Sequence, residues 1–319
     1  MKAETGSPAL RRTDHNADRG CAIDICIPFY KSDPTELIAT LAGQDGAQEA
    51  ALRIYDDGSD DPAMTARIEA ALALFPGRST LLQADRNRGR AAARNALLNA
   101  AESDWILLLD SDTRIDKAGF LSAYRNAARK EGGPCCIVGG SVIDPALITP
   151  ATALHALQSQ VSECLPARVR ATDPGRYVFT MNLFLHRTIL ERIPLDEGFV
   201  GWGWEDVDWG LRIAARYPVI HIDNPAVHLG LMTVPEVLRK YRESGPNFVR
   251  LLNAHPDAVA RMPLYRWARR FAALPGHRRL IPLAAGCARA RVLPMRTRLA
   301  ALKVCRALIH AAALHDAES

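Results

Sequence analysis

The sequence predicts an α/β fold built on a parallel sheet and followed by a basic helical extension. Four short apolar runs, Ile23–Phe29, Leu52–Tyr55, Leu81–Ala84 and Trp105–Leu109, are separated by stretches with helix start signals, the alternation expected of such a sheet. From about Val234 onward helical segments dominate, broken by Gly245-Pro246, Pro256, Pro263, Pro275 and Pro294. Between Arg261 and His310 there are many arginines and no Asp or Glu.

The elements follow in order. Residues 1–20 are polar and charged around Asp14, His15, Asn16 and Asp18, lack the apolar core of a secretory signal and read as a flexible tail. After the first run, Asp33 can cap a helix with Pro34 at its first position and Glu36 at its third; Asp61-Pro62 repeats the arrangement before Ile68, Leu72 and Phe75. Beyond Trp105–Leu109 the pattern loosens, with strands expected at Ile137–Ile143 and Tyr177–Leu185 and a helix from Ala151 to Cys164 between them. Leu195 to Trp204 is rich in Gly and Trp and reads as an ordered surface loop, followed by a helix from Glu205 to Arg216 and a strand at Val219–Ile222.

Composition bounds the function. With 319 residues, 48% hydrophobic and 24% charged, the chain can bury one large core or two modest ones. No segment reaches the ~18 uncharged apolar residues of a membrane-spanning helix, so the chain is expected to fold in water. The seven cysteines are scattered, and the adjacent Cys135-Cys136 is not a CxxC pair, which points to a reducing compartment.

The chemistry concentrates at the strand ends. Ligands of open α/β sheets bind outside the carboxyl ends of the strands. Here those ends read Pro28-Phe29-Tyr30, Asp56-Asp57-Gly58-Ser59 and Asp110-Ser111-Asp112. Two acid pairs on one edge repel unless a cation or hydrogen-bond donors intervene. Carboxylates suit Mg²⁺ or Mn²⁺, commonly held together with substrate phosphates, so the pattern points to a nucleotide diphosphate. Asp56 or Asp57 would accept from a base or ribose, and Asn87, Arg88, Arg90 and Arg94 lie where they could face the diphosphate. Taken alone, Asp56–Ser59 reads more readily as a capped turn.

Ile25-Cys26-Ile27-Pro28-Phe29-Tyr30, Tyr55-Asp56-Asp57-Gly58-Ser59, Asn87-Arg88-Gly89 with Ala93-Arg94-Asn95, and Leu109-Asp110-Ser111-Asp112 resemble, in order and spacing, the motifs of family 2 glycosyltransferases. The resemblance runs from about Ile23 to Thr233. It implies a GT-A fold, a Rossmann-like mixed sheet flanked by helices, that binds a nucleotide sugar with a divalent metal, Mn or Mg. Pro28, Tyr30, Asp56, Asp57, Asn87, Arg94 and Asp110 are then the donor-binding candidates, with Asp112 the metal ligand and Asp110 nearer the ribose or a bound water. Gly201-Trp202-Gly203-Trp204-Glu205-Asp206 resembles the Gly-Trp-Gly-Gly-Glu-Asp segment of β-1,4-galactosyltransferases and bacterial chondroitin-type polymerases.

That second resemblance places Asp206 as the base that deprotonates the acceptor hydroxyl in an inverting transfer. Glu205 would orient acceptor or donor sugar, and Trp202 would offer a flat face to a pyranose ring. Trp204, an acceptor-binding candidate together with Trp202, stands where the galactosyltransferase pattern has glycine and would reshape the sugar pocket. His228, about twenty residues beyond the acidic motif, sits where these families place a histidine that completes the metal shell, with His221 as competitor. His155, His186 and His255 have no motif around them.

The expected organisation is a tail over 1–20, a glycosyltransferase domain over 21–233 and a helical basic extension over 234–319. The expected reaction is inverting, metal-dependent transfer from a nucleotide sugar, a UDP-sugar, to a glycan or lipid-linked acceptor in the cytoplasm or at the inner membrane face. A nucleotidyltransferase would share the carboxylates and the sheet, but has no need of an acceptor-site Trp and base. A non-catalytic sugar-nucleotide-binding protein would not need all the acids present. In the basic tail, Met295, Leu299, Leu302 and Ile309 recur at helical spacing, so a peripheral helix on anionic lipid and a solvated basic surface are equal readings; Arg306 falls close to the apolar face. Nucleic acid has only the charge in its favour, with no recognition motif.

Overall fold

The computed structural model describes residues 10–18 and 20–318. Its strands are Arg11–His15 (β1), Ile23–Phe29 (β2), Ala50–Asp56 (β3), Arg78–Gln83 (β4), Trp105–Leu109 (β5), Thr113–Arg114 (β6), Cys136–Val138 (β7), Ser141–Val142 (β8), Asn182–His186 (β9), Val219–His221 (β10) and Ala226–His228 (β11). They form an eight-stranded sheet in the order β1-β4-β3-β2-β5-β9-β7-β10 and a three-stranded sheet in the order β6-β11-β8. The chain divides into two compact units, one of residues up to Val142, Pro166–Glu197 and Trp209–Leu229, the other of Ile143–Leu165, Gly198–Asp208 and Gly230 onward. The second unit therefore collects two earlier segments besides the C-terminal helices.

In the first unit, β2 to β5 are parallel and largely buried, with β2, β3 and β5 mostly apolar, as strands covered on both faces must be. Alternation assigns the faces: Ile23, Ile25, Ile27 and Phe29 of β2 join one core with Leu107 and Leu109, while Cys26 joins the other with Ile106 and Leu108. The helices Thr35–Ala42, Pro62–Ala73 and Phe120–Glu131 cover the first face, and Arg90–Ala100 covers the second. The cap of Pro62–Ala73 is as the sequence indicates, Asp61 accepting from the Met64 N–H at 2.9 Å. Asp33 accepts from the Thr35 N–H at 3.0 Å, with the helix beginning at Thr35.

Several elements differ from expectation. Arg11–His15, read as part of a flexible tail, is an antiparallel edge strand against β4; the Thr80 hydroxyl donates to Asp14 at 2.7 Å, satisfying a polar residue at the sheet margin. The sheet is mixed, as the GT-A resemblance implies, with β9 antiparallel to both β5 and β7. The strand expected at Ile137–Ile143 is split into β7 and β8, in different sheets, by Gly139 and Gly140. Gly140 has φ +87°, and a Cβ on Gly139 would lie 2.1 Å from the Tyr124 hydroxyl, so the chain turns where only glycine fits.

The second unit is helical, and its helices Gly245–Ala254, Pro256–Ala260 and Pro263–Ala272 carry proline in their first turn, where the missing N–H has no partner to lose. Its core gathers Leu154, Val237, Leu238, Tyr241, Leu302, Cys305 and Ile309. This corrects the lipid reading of the last helix, Met295–Glu318. Leu302 and Ile309 are buried and Met295 and Leu299 pack against the same cluster, so that stripe faces the protein's own interior. Among the described residues no helix is long and apolar enough to cross a membrane.

Candidate active site

The order of the parallel strands creates a candidate site in the first unit. After β2 the chain adds β3 and β4 on one side and returns to place β5 on the other, so the sheet has a switch point between β2 and β5. The β2–β5 pairing ends at Cys26 and Leu108, and Pro28, which has no N–H to donate, follows. Beyond this parting lie the ends of β2, β3 and β5, with Tyr30 exposed.

Asp110-Ser111-Asp112 connects β5 of the large sheet to β6 of the small one. Asp110 accepts from the guanidinium of Arg94 at 2.6 Å, and Arg94, on the helix Arg90–Ala100, is only 3% exposed. The Thr113 hydroxyl donates to the Asp110 carbonyl at 2.7 Å, tightening the turn. Because β6 pairs antiparallel with β11, His228 stands opposite Thr113, and its Nε2 lies 3.5 Å from an Asp112 carboxylate oxygen. Burial pushes the Asp112 carboxyl up, but the hydrogen bond and charge of His228 and the charge of Arg90 outweigh it and hold the group below the usual carboxylate range.

Asp56 and Asp57 are both buried. Asp56 accepts from the Ser59 N–H at 2.8 Å; Asp57 accepts from the N–H groups of Arg88 and Gly89 at 2.8 and 2.9 Å, one to each oxygen. Burial raises the Asp57 pKa, and these two bonds offset only part of the effect. Gly58 (φ +79°) makes the approach feasible, since a Cβ there would lie 2.5 Å from the Arg86 carbonyl carbon. Asp57 and Gly58 thus dock the loop carrying the exposed Asn87 against the end of β3.

The second unit holds its own cluster of candidate residues. Gly201, Gly203 and Trp204 all have positive φ, +82°, +88° and +78°. Asn247 holds this loop, its side-chain amide donating to the carbonyls of Val200 and Gly203 at 3.0 Å each. The Trp204 ring packs on Phe248 with centroids 5.0 Å apart and under the Arg306 guanidinium at 5.3 Å. Lys240 lies over the ring of Trp202 at 5.2 Å. The loop delivers the chain to the helix Glu205–Ala214, whose first turn carries Glu205, Asp206 and Asp208, where the N-terminal partial positive charge favours carboxylates. Glu205 is 5% exposed and Asp206 half-buried, its Oδ1 accepting from the Val207 N–H at 2.9 Å. Asp208, 3% exposed, pairs with His255 Nε2 at 2.8 Å.

A model described as Glycosyl transferase family 2 matches residues 24–186, just over half the chain and all of the switch-point motifs before His228. The chain belongs to glycosyl transferase family 2. Two curated relatives are named N-acetylglucosaminyltransferase: one from Bradyrhizobium sp. (strain ANU 289), 30% identical over 95 residues, and one from Rhizobium meliloti (strain 1021), 31% identical over 97. These stretches cover 29% and 30% of this chain, and 61% and 22% of the relatives' own lengths. Among solved structures, the mannosyltransferase PcManGT of Pyrobaculum calidifontis in complex with GDP-Man and Mn²⁺ superimposes with a TM-score of 0.56 at 17% identity over 95% of this chain and 89% of that one. Residues 1–349 of S. aureus TarS superimpose with a TM-score of 0.50 at 15% identity, over 90% of each chain. At these identities the likeness is one of fold, and the GT-A sheet with a helical C-terminal region is the fold that family 2 membership leads one to expect.

The structure brings Arg94 to Asp110 and Asp112 to His228, and it gathers Trp202, Trp204, Glu205 and Asp206 on one loop and helix start. His221 is drawn elsewhere: its Nδ1 meets the Arg170 guanidinium at 2.9 Å and its Nε2 the Pro174 carbonyl at 3.1 Å, and burial lowers its pKa to about 4. Sequence reasoning missed His255, Asn247, Arg306 and His310 as supports of the acidic loop and helix start in the second unit. No local motif marks them, because each reaches its partner through helix packing.

Proposed function

We propose that the chain transfers a sugar, with inversion at the anomeric carbon, from a UDP-sugar to a hydroxyl of a glycan or lipid-linked acceptor in polysaccharide or glycoconjugate synthesis, working in the cytoplasm. The observation that carries this reading is the pairing of Asp112 with His228 at the switch point of a family 2 chain, two residues far apart in sequence that the small sheet sets 3.5 Å apart. An N-acetylhexosamine donor is favoured by the names of the curated relatives.

One carboxylate and one imidazole form a donor set that fits Mn²⁺ or Mg²⁺ with further ligands from a diphosphate; among the described residues no group of three or more His, Cys, Asp or Glu is placed to hold a metal by itself. Asp112 and His228 would hold the ion, which when bound would offset charge on the departing diphosphate. The chain's own residues do the rest. Arg94 fixes the Asp110 carboxylate for the ribose, Asp57 holds the 87–89 loop for the diphosphate, and Asp206 takes the proton from the acceptor hydroxyl. Trp202 supplies an apolar face to the acceptor ring. Trp204 keeps the loop in its left-handed path.

Transfer assays with UDP-sugars and Mn²⁺ test the base. Asp206→Asn is expected to lose about a hundredfold or more in turnover with donor affinity unchanged; full turnover would overturn the assignment. Asp112→Ala should abolish metal-dependent UDP-sugar binding in calorimetry, and binding that persists would remove Asp112 from the metal site.

A further inference from the structure

Six of the twelve exposed large apolar side chains among the described residues fall between residues 267 and 304: Trp267, Leu274, Leu280, Leu283, Val292 and Val304. Val292 is 94% and Leu283 66% exposed. The stretch that holds the first five also carries Arg266, Arg269, Arg270, Arg278, Arg279, Arg289 and Arg291, all exposed, and no acid. The helices Pro263–Ala272 and Leu280–Arg289 bury alanines inward, Ala268 in one and Ala285 and Ala288 in the other. Large apolar residues are left outside. Trp267 and Arg270 lie three apart on one helix with the guanidinium 5.1 Å from the ring, and Leu280 and Leu283 share the same spacing on the other.

We propose that this surface is a docking face for an anionic lipid bilayer, formed by the segment over 263–292 and not by the apolar stripe of the last helix. Arginine charge alone would serve any polyanion. A phosphate backbone gives exposed Leu and Val nothing to bury against, whereas the headgroup and acyl boundary of a membrane accepts Trp, Leu and Val while its phosphates meet the guanidiniums. Two exposed arginines are partly engaged, Arg269 with Glu318 and Arg278 with Asp316, and these exposed pairs can exchange for lipid phosphate at little loss. The face stands independently of the proposed transfer reaction.

Co-sedimentation of the full chain with phosphatidylglycerol-containing vesicles tests it, without any sugar donor. Binding is expected to such vesicles, to fall steeply with salt, and to be absent with pure phosphatidylcholine. The exposed substitutions Leu283→Ser with Val292→Ser, and separately Arg266→Glu with Arg270→Glu, should each lower the partition coefficient about tenfold or more. Vesicle binding unchanged in both double variants, or retention on duplex DNA with none on vesicles, would overturn the proposal. Unaltered UDP-sugar affinity in the same variants would keep the two conclusions separable.

Discussion

The indole of Trp204 meets the imidazole of His310 edge to face, their centroids 5.9 Å apart and their planes at 81°. His310 lies on the last helix, is fully buried, and contacts Phe248 in the same way at 4.8 Å. A bulky side chain at φ +78° is strained by roughly 1–2 kcal/mol, and this aromatic cluster is what holds it there. The C-terminal helix is therefore part of the support for the acidic loop.

Trp204 substitutions should separate backbone from ring. Trp204→Ala keeps the strained φ and loses the packing, so the helical unit should weaken by about 2–3 kcal/mol in chemical denaturation. Trp204→Gly should recover about 1 kcal/mol of that loss, because glycine accepts positive φ freely. Alanine as stable as or more stable than glycine would contradict a left-handed residue 204.

Gly58→Ala forces a Cβ into the backbone of Arg86 and Asn87 at a left-handed residue. A loss of about 2 kcal/mol or more in thermal unfolding is expected, with weaker UDP-sugar binding because the 87–89 loop is undocked. Asp57→Asn keeps the shape and removes one acceptor, and should fall between Gly58→Ala and wild type.

His310 is neutral in the fold. Burial first, then the neighbouring Arg306 charge, lowers its pKa to about 3 from an unfolded value near 6.5. The unfolded chain thus binds a proton that the fold excludes, so this contribution is complete above pH 6.5 and is lost as pH falls toward 3. Its slope is about 1.4 kcal/mol per pH unit. His310→Gln should remove about that slope between pH 6 and 4 in pH-dependent denaturation, while His221 still contributes its own.

Asp208 and His255 should be coupled. Each single substitution to alanine leaves the other group without its ion-pair partner, and the double variant should be less destabilised than the sum by about 1–3 kcal/mol. Additive losses would show that the 2.8 Å contact does not hold the start of the acidic helix.

The parallel half of the sheet was legible because buried strands write themselves as apolar runs, and Asp61-Pro62 because a cap and its proline are adjacent in sequence. What lay hidden depends on distant pairing. Nothing near Asn182–His186 states that it runs antiparallel to β5, and nothing near Arg11–His15 states that it will find β4. The apolar positions of the last helix were visible, but not which neighbour covers them. The motif order singled out Asp112 and His228, which the fold sets 3.5 Å apart. His255, Asn247 and His310 were not singled out, since each acts on a loop nearly fifty or more residues away.

The three-stranded sheet also imposes a sequence of events on biosynthesis. A nascent chain that has not reached Ala226 already contains every strand of the parallel block, yet Asp112 lacks His228 until β11 emerges between β6 and β8. The pairing of His228 with Asp112 is thus made only after every strand of the parallel block has been synthesised.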